Sequence, residues 1–501
     1  MPTDLSLSFF ESALAQFNEL VDRLSSADSQ NWEHGKLERY IHESGTELLR
    51  RLYQGHLDLR YASEDYQSEV VGSDGETRPH RRKQTQRNLE TLFGEVTLNR
   101  VGYSTQKPEV SALYPSDGIL NLPPDKYSDE LRKRVAVEAS KVSFSETSRT
   151  ISSTTGGAIG KRQCEEVTVK VAQDFEDFYA QRAIDRRVAS DELLVITTDG
   201  KGIVMHPSDL REATAKAAQK AKDSPSKRTR LSPGQKRQRK RMATVASVYH
   251  VPRYPRQADD IIGDQRDPPV RPVISDKRVW ASVEQDAKTV IEHAFVESLT
   301  RDPDHQRDWV VLVDGELHQL ATLNAMARKQ DVTVTIVLDF IHVLEYVWKA
   351  AFCFFSSGSE EAETWVQERA LRILQGKASD VAAGIRRSAT LQNLDTKARE
   401  NVDKCADYLL KNRPYLLYDE YLDRGYPIAS GVIEGACRHL VNDRMEITGA
   451  RWRLDRAEAV LRIRALRASD DFEAYWEFHK VQEFKRNHAN KFLEPERFLT
   501  A

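Results

Sequence analysis

Two short apolar runs in this chain end in the same way. Residues 192–200 read ELLVITTDG and residues 308–315 read DWVVLVDG. An apolar strand that finishes in Asp-Gly sets a carboxylate at the edge of a sheet while its backbone stays anchored. The glycine permits a tight turn and leaves room beside the acid. In open α/β sheets, ligands bind at such strand ends. The stretches around the two runs extend the pattern. MATVASVYHV (242–251) and KRVWASV (277–283) read as strands after the first run, and DAKTVIEHAFVESL (286–299) reads as a helix. VTVTIVLDF (332–340) follows the second run after a helical connection, and IHVLEYVWKAAFCFF (341–355) is helical. Three strands in sequence, then strand–helix–strand–helix, predict a mixed sheet covered by helices, an α/β fold.

The N-terminal part has a different rhythm. Phe9, Phe10, Leu14, Phe17, Leu20, Val21 and Leu24 recur at three- and four-residue steps, which predicts helix over residues 1 to about 60. A polar, turn-rich loop is expected next, and then a short hairpin in which Val96, Leu98 and Val101 alternate. Between residues 126 and 185 the pattern is helix, short helix, Gly156-Gly157 turn, long helix, the outline of a helix-turn-helix unit. Ser143 and Glu146 are spaced as a capping box at the start of the second helix.

Composition narrows the class. The 501 residues carry 74 Lys and Arg against 77 Asp and Glu, a net charge of -3, so any nucleic-acid contact has to come from local patches. The strongest patch is Arg211–Arg241, with twelve Lys and Arg against two acids, inserted between the first two core strands. Its Lys236, Arg237, Arg239, Lys240 and Arg241 are candidate phosphate contacts. Lys161, Arg162 and Gln163 open the third helix of the helix-turn-helix candidate, where base-reading residues usually stand. Four cysteines without a CxxC pair point away from disulfides and zinc knuckles, and toward a reducing cytosol. The acidic start is unlike a signal peptide, and no apolar run is long enough for a bilayer, so a soluble intracellular protein is expected.

One longer stretch carries the most specific signal: PIASGVIEGACRHLVNDRMEITGARWRLDRAEAVLRIRAL, from Pro427. Together with LFGEVTLNRVGY, VITTDGKG, KRQRKRMATVASVYHV, VVLVDG and VLDFIHVLEYVWKAA, it resembles bacterial insertion-sequence transposases of the DDE type, closest to the ISKra4 group. The resemblance spans roughly residues 88 to 468. It implies an RNase H-like catalytic core in which Asp199, Asp314 and Glu434 are the catalytic acids, holding two Mg²⁺ or Mn²⁺ ions. His342, in the Asp339-x-x-His342 element, would touch the scissile strand or orient a ligand. Its plainer reading is a histidine near a helix start that Asp339 caps. Gly431, Gly435 and Ala436 would let the Glu434 helix lie close to the sheet, with Ser430 as its cap. Glu434 otherwise reads as a first-turn acid paired with Arg438. Arg438, Arg451 and Arg453 are further candidate DNA contacts, and Trp452 would stack on an unpaired base or sit in the core.

The implied activity is metal-dependent hydrolysis at transposon-end phosphodiesters, followed by strand transfer of the 3′-hydroxyl into target DNA. The partners would be double-stranded DNA and further copies of the chain, in the bacterial cytoplasm at the nucleoid. Alternatives are an RNase H-like nuclease or resolvase without strand transfer, and a transposase-derived DNA-binding protein. The expected organisation is an N-terminal helical region (1–60), a loop and β-hairpin segment (61–125), a helix-turn-helix-like domain (126–185), and the RNase H-like core (190–355, with the basic arm 211–241). A helical insertion (356–425), the helix with Glu434 (426–468) and a peripheral C-terminal tail (469–501) complete it.

Overall fold

The computed structural model describes residues 4–65, 67–182, 192–222, 239–262, 272–447 and 449–499. The chain forms two compact units. One comprises residues 1–178 and 471–501, the other residues 179–470.

The first unit begins with helices Glu11–Ser25 and His34–Ala62. Leu14, Phe17 and Val21, part of the apolar stripe read from the sequence, remain exposed. Two short strands, β1 (Val70–Val71) and β2 (Thr77–Arg78), pair with each other. A longer hairpin follows, β3 (His80–Thr91) and β4 (Gly94–Ser104). It closes where Thr91 faces Gly94, whose φ of 117° is open to glycine and strained for other residues. The hairpin is longer than expected because HRRKQTQR, polar on both faces, gives no alternation to read, yet its backbone pairs with β4.

The region expected to form a helix-turn-helix unit holds helices Asp129–Ala139, Phe144–Thr154 and Lys161–Val171. Ser143 Oγ accepts from the Glu146 N–H at 3.1 Å, as the spacing suggested. The long third helix of the sequence reading is broken after Val171, and a second helix, Phe175–Arg182, starts beyond it. Asp174 lies in the break and is buried. It accepts from His479 Nδ1 at 2.6 Å and from both terminal nitrogens of Arg486 at 3.0 Å. His479 and Arg486 belong to helix Phe472–Asn487, in the segment expected to be peripheral. That helix buries Tyr475 and Trp476, and Tyr475 packs edge-on against Phe178 at 5.5 Å. Burial of such aromatic area binds the end of the chain into the first unit.

The second unit is built on a mixed five-stranded sheet. Its strands are β5 (Leu193–Val204), β6 (Lys240–Val251), β7 (Ser275–Ser282), β8 (Trp309–Val313) and β9 (Val334–Leu338), in the order β7-β6-β5-β8-β9. The first three are antiparallel neighbours, while β8 and β9 run parallel to β5. Parallel pairing needs crossovers, and helices Ala287–Arg301 and Leu317–Lys329 supply them. Helix Leu454–Ala468 packs along β7, where Glu458 accepts from the backbone N–H groups of Val283 and Glu284. Residues 360–423 form the helical insertion, as helices Glu360–Leu374, Ala378–Leu391, Glu400–Lys411 and Tyr418–Asp423. No helix among the described residues is long and apolar enough to cross a membrane.

Candidate active site

β5 departs from the sequence reading at the residue that matters most. It does not end at Asp199-Gly200. It runs on to Val204, with Asp199 opposite Val245 and Gly200 opposite Thr244. A Cβ on Gly202 would stand 2.9 Å from Lys240 Cδ, so the Lys240 side chain lies over this glycine. On its other side β5 pairs with β8 only from Leu194 to Thr197. Asp199 therefore lies just beyond the end of β8, where β5 overhangs its neighbour.

The parallel register brings the second acid to the same level. Leu194 pairs with Trp309 and Thr197 with Leu312, an offset of 115 positions (309 − 194 and 312 − 197). Asp199 and Asp314 are separated by the same 115 (314 − 199). Neighbouring strands lie about 4.8 Å apart, so residues in one register stand side by side. Asp314 follows the last residue of β8, and Gly315, with φ 87°, turns the chain away. Burial pushes the Asp314 carboxyl above its ordinary value, and the nearby Asp199 charge adds to the rise. His342 acts in the opposite sense on the same carboxyl.

Three groups hold this corner in place. Tyr408, from the helical insertion, donates its hydroxyl to the Asp314 carbonyl at 2.9 Å. Its ring stacks on Tyr346 at 4.1 Å and meets His342 edge-on. Asp339 caps helix Phe340–Ala351 by accepting from the Ile341 N–H at 2.7 Å, so the plain capping role is present. Its second oxygen accepts from the Ser430 N–H at 2.9 Å and from the Ser430 hydroxyl. The Ser430 hydroxyl is thus turned to Asp339 and does not cap the next helix.

That next helix, Gly431–Ala436, carries Glu434 and continues through a π-helical turn, Cys437–Asn442. Such wide turns recur at functional sites. Cys437 faces the acids, its thiol 3.1 Å from Asp199 Oδ2, and burial together with Asp199 raises the thiol above its ordinary value. Lys201, two residues after Asp199 on β5, sets its ammonium 3.0 Å from the same oxygen. Burial pulls Lys201 down, but its bond to Asp199 outweighs this and the net shift is upward.

The structure sets Lys201 and Cys437 against Asp199, bonds Tyr408 to the Asp314 carbonyl, and brings Asp199 and His342 near enough to Asp314 to act on its carboxyl. Glu434 is exposed and, among the described residues, makes no ion pair. Arg438, whose side chain is 76% exposed, leans toward Asp443 at 3.9 Å and not toward Glu434. Gly431 and Gly435 do not serve close packing either, since a Cβ on either would meet no atom within 4 Å. Ala436 alone of the three small residues is buried. Glu434 and Cys437 lie three positions apart, so they share one side of the helix.

Asp199 and Asp314 fit a hard divalent cation. They offer carboxylate oxygens from neighbouring strands at one end of the sheet, and Mg²⁺ commonly takes one or two carboxylates with water and phosphate oxygens. Among the described residues, no group of three or more His, Cys, Asp or Glu side chains is arranged to hold a metal ion.

The candidate DNA contacts divide. Lys161 and Arg162 are exposed at the start of helix Lys161–Val171, with Gln163 half-buried and Arg162 paired to Glu166. Arg239 and Arg451 are exposed. Lys240 pairs with Glu446, and Arg453 with Ser208 and Asp209. Arg241 is committed elsewhere: its guanidinium donates to the carbonyls of Val283, Glu284 and Asp209, which makes it a brace between loops. Trp452 is buried and donates to the Met445 carbonyl, so it belongs to the core and does not offer a stacking face. Lys236 and Arg237 lie outside the described residues.

Lys201 shares a face with Asp199 only because β5 continues past Gly200, and Asp-Gly reads instead as the end of a strand. Cys437 and Tyr408 each meet the acids from an element that no local pattern ties to them.

No family model matches the chain, and no curated protein matches it. Among solved structures, the Drosophila P element transposase strand transfer complex aligns over 75% of this chain and 84% of that one, at 9% identity and a TM-score of 0.24. A likeness that low carries no weight for fold or activity.

Proposed function

We propose that this chain is a DDE-type DNA transposase on an RNase H-like core, with Asp199 and Asp314 at its catalytic centre. The observation that carries the reading is the register: two aspartates from adjacent parallel strands stand at one level where β8 ends, and each lies within reach of the other's charge. Acids on the first and fourth core strands are what the resemblance to ISKra4-type sequences implies. A Mg²⁺ or Mn²⁺ ion held by these carboxylates would supply positive charge at the scissile phosphate and would acidify the nucleophile, a water in hydrolysis and the 3′-hydroxyl in strand transfer.

The chain's own residues do the rest. Asp199 and Asp314 supply hard oxygen donors on a rigid sheet. Tyr408 fixes the Asp314 backbone, and Asp339 fixes the start of the Glu434 helix through Ser430. Glu434 is the third acid, three residues before Cys437, whose thiol reaches Asp199. His342 lies beside the pair, available to the scissile strand. Exposed Arg438 and Arg451, with Lys161, Arg162 and Gln163 in the other unit, hold duplex DNA by phosphate and base contacts. Pairing two element ends calls for at least two copies of the chain at the nucleoid.

The test is cleavage of a duplex bearing the inverted repeat that flanks the gene, with Mg²⁺. The wild type nicks at the end and joins a pre-cleaved 3′ end to a target duplex. Asp199→Ala, Asp314→Ala and Glu434→Ala bind the duplex and do not nick it. Nicking without joining would point to a nuclease or resolvase. A second reading, a DNA-binding protein that no longer cuts, is favoured by the exposure of Glu434 and by the absence, among the described residues, of a cluster of three metal-binding side chains. Binding of the repeat with no cleavage under any divalent ion would establish it.

A further inference from the structure

The acid pair is not bare. Lys201 reaches it from its own strand, its ammonium 3.0 Å from Asp199 Oδ2 and close enough to Asp314 to feel its charge. Backbone geometry aims it there. Asp199 and Lys201 face Val245 and Ala243 across β6, and alternate residues of a strand point to one face. The intervening Gly200 and the following Gly202 belong to the opposite face, which Met242 and Lys240 cover. The Lys201 side chain is 39% exposed against 18% for Asp199, so its ammonium meets the pair from the solvent side. The ammonium occupies a position at Asp199 Oδ2 that a cation bound there would take.

We propose that Lys201 is a built-in counter-cation: it neutralises the Asp199–Asp314 pair in the free protein, is displaced when a divalent ion binds, and then turns to the backbone phosphate of the DNA. This rests on the reading of the pair as a metal site. Lys201 is a positioning residue for the ion and a phosphate contact for the substrate. A lysine suits both tasks, because its ammonium is a compact point charge on a flexible stem. The exchange makes metal and DNA binding cooperative. An arriving phosphate draws the ammonium away from Asp199 and frees the carboxylate for the ion, and by linkage the ion strengthens DNA binding equally.

Mn²⁺ binding to the full chain, followed by the paramagnetic resonance of free Mn²⁺, tests this without any turnover. Lys201→Gln binds Mn²⁺ about tenfold more tightly than wild type in the absence of DNA, the scale of one charge-assisted hydrogen bond moderated by partial exposure. Lys201→Arg behaves as wild type. A short duplex tightens Mn²⁺ binding to the wild type and leaves Lys201→Gln unchanged. Equal Mn²⁺ affinity in wild type and Lys201→Gln, lost in both when Asp199→Asn is added, overturns the role of Lys201 and leaves the acid pair as the metal site. Mn²⁺ binding that ignores Asp199→Asn in both backgrounds overturns the metal site itself.

Discussion

Asp339→Ala is the substitution whose effect can be worked most fully from the structure. The buried Asp339 carboxylate accepts from the Ile341 N–H at one oxygen and from the Ser430 N–H and hydroxyl at the other. Alanine removes a helix cap, worth about 1 kcal/mol. It also leaves the buried Ser430 donors without their charged acceptor, at about 1–3 kcal/mol. Added together, the two losses put the local cost at about 3 kcal/mol. That cost falls on the junction leading to Glu434, because Ser430 is the residue before Gly431. Hydrogen–deuterium exchange read on a peptide spanning residues 427–437 measures it. The expected result is exchange ~100-fold faster, since 1.4 kcal/mol corresponds to about tenfold. Helix Asp129–Ala139, in the other unit, is unchanged. Acceleration below about threefold would mean that Asp339 does not hold this junction.

Two further outcomes follow from groups outside the catalytic acids. Burial raises the Asp129 carboxyl from 3.8 to about 6, partly offset by Arg132, with His479, Glu483 and Lys480 also facing it. The folded state therefore takes up this proton before the unfolded chain does. Stability from Asp129 is full below pH ~4 and is lost as pH rises through about 6. Asp129→Asn should exceed wild type by ~2 kcal/mol at pH 8 in urea unfolding and match it at pH 4; a pH-independent difference would refute the linkage. Tyr408→Phe removes the bond to the Asp314 carbonyl and should lower stability by about 1 kcal/mol. It should also slow end cleavage more than it weakens DNA binding; an equal loss of both would make Tyr408 a general packing residue.

Much of the sheet could be read from the sequence because its strands are apolar runs with little competition. The offset of 115 that aligns Asp199 with Asp314 was present in the numbering, but only the pairing of Leu194 with Trp309 gives it meaning. The end of β5 was misjudged because Asp-Gly reads as a turn, whereas Gly200 and Gly202 are strand residues braced by β6. The C-terminal helix looked peripheral by charge. Tyr475, Trp476 and His479 bury one face of it, and the aromatic cluster AYWEFH was the available sign. The small residues around Glu434 suggested close packing, yet two of the three face open space. Residue size alone cannot tell a tight interface from a vacant one.

End cleavage by wild type and Asp314→Asn, with DNA binding measured in the same samples, tests the claim that the acid pair is a phosphodiester-processing centre. Asparagine keeps the shape of residue 314 and removes its charge. The expected result is Mg²⁺- or Mn²⁺-dependent nicking by wild type, a loss of ~10³-fold or more in Asp314→Asn, and equal binding by both. Nicking by Asp314→Asn at the wild-type rate would contradict the assignment of the site.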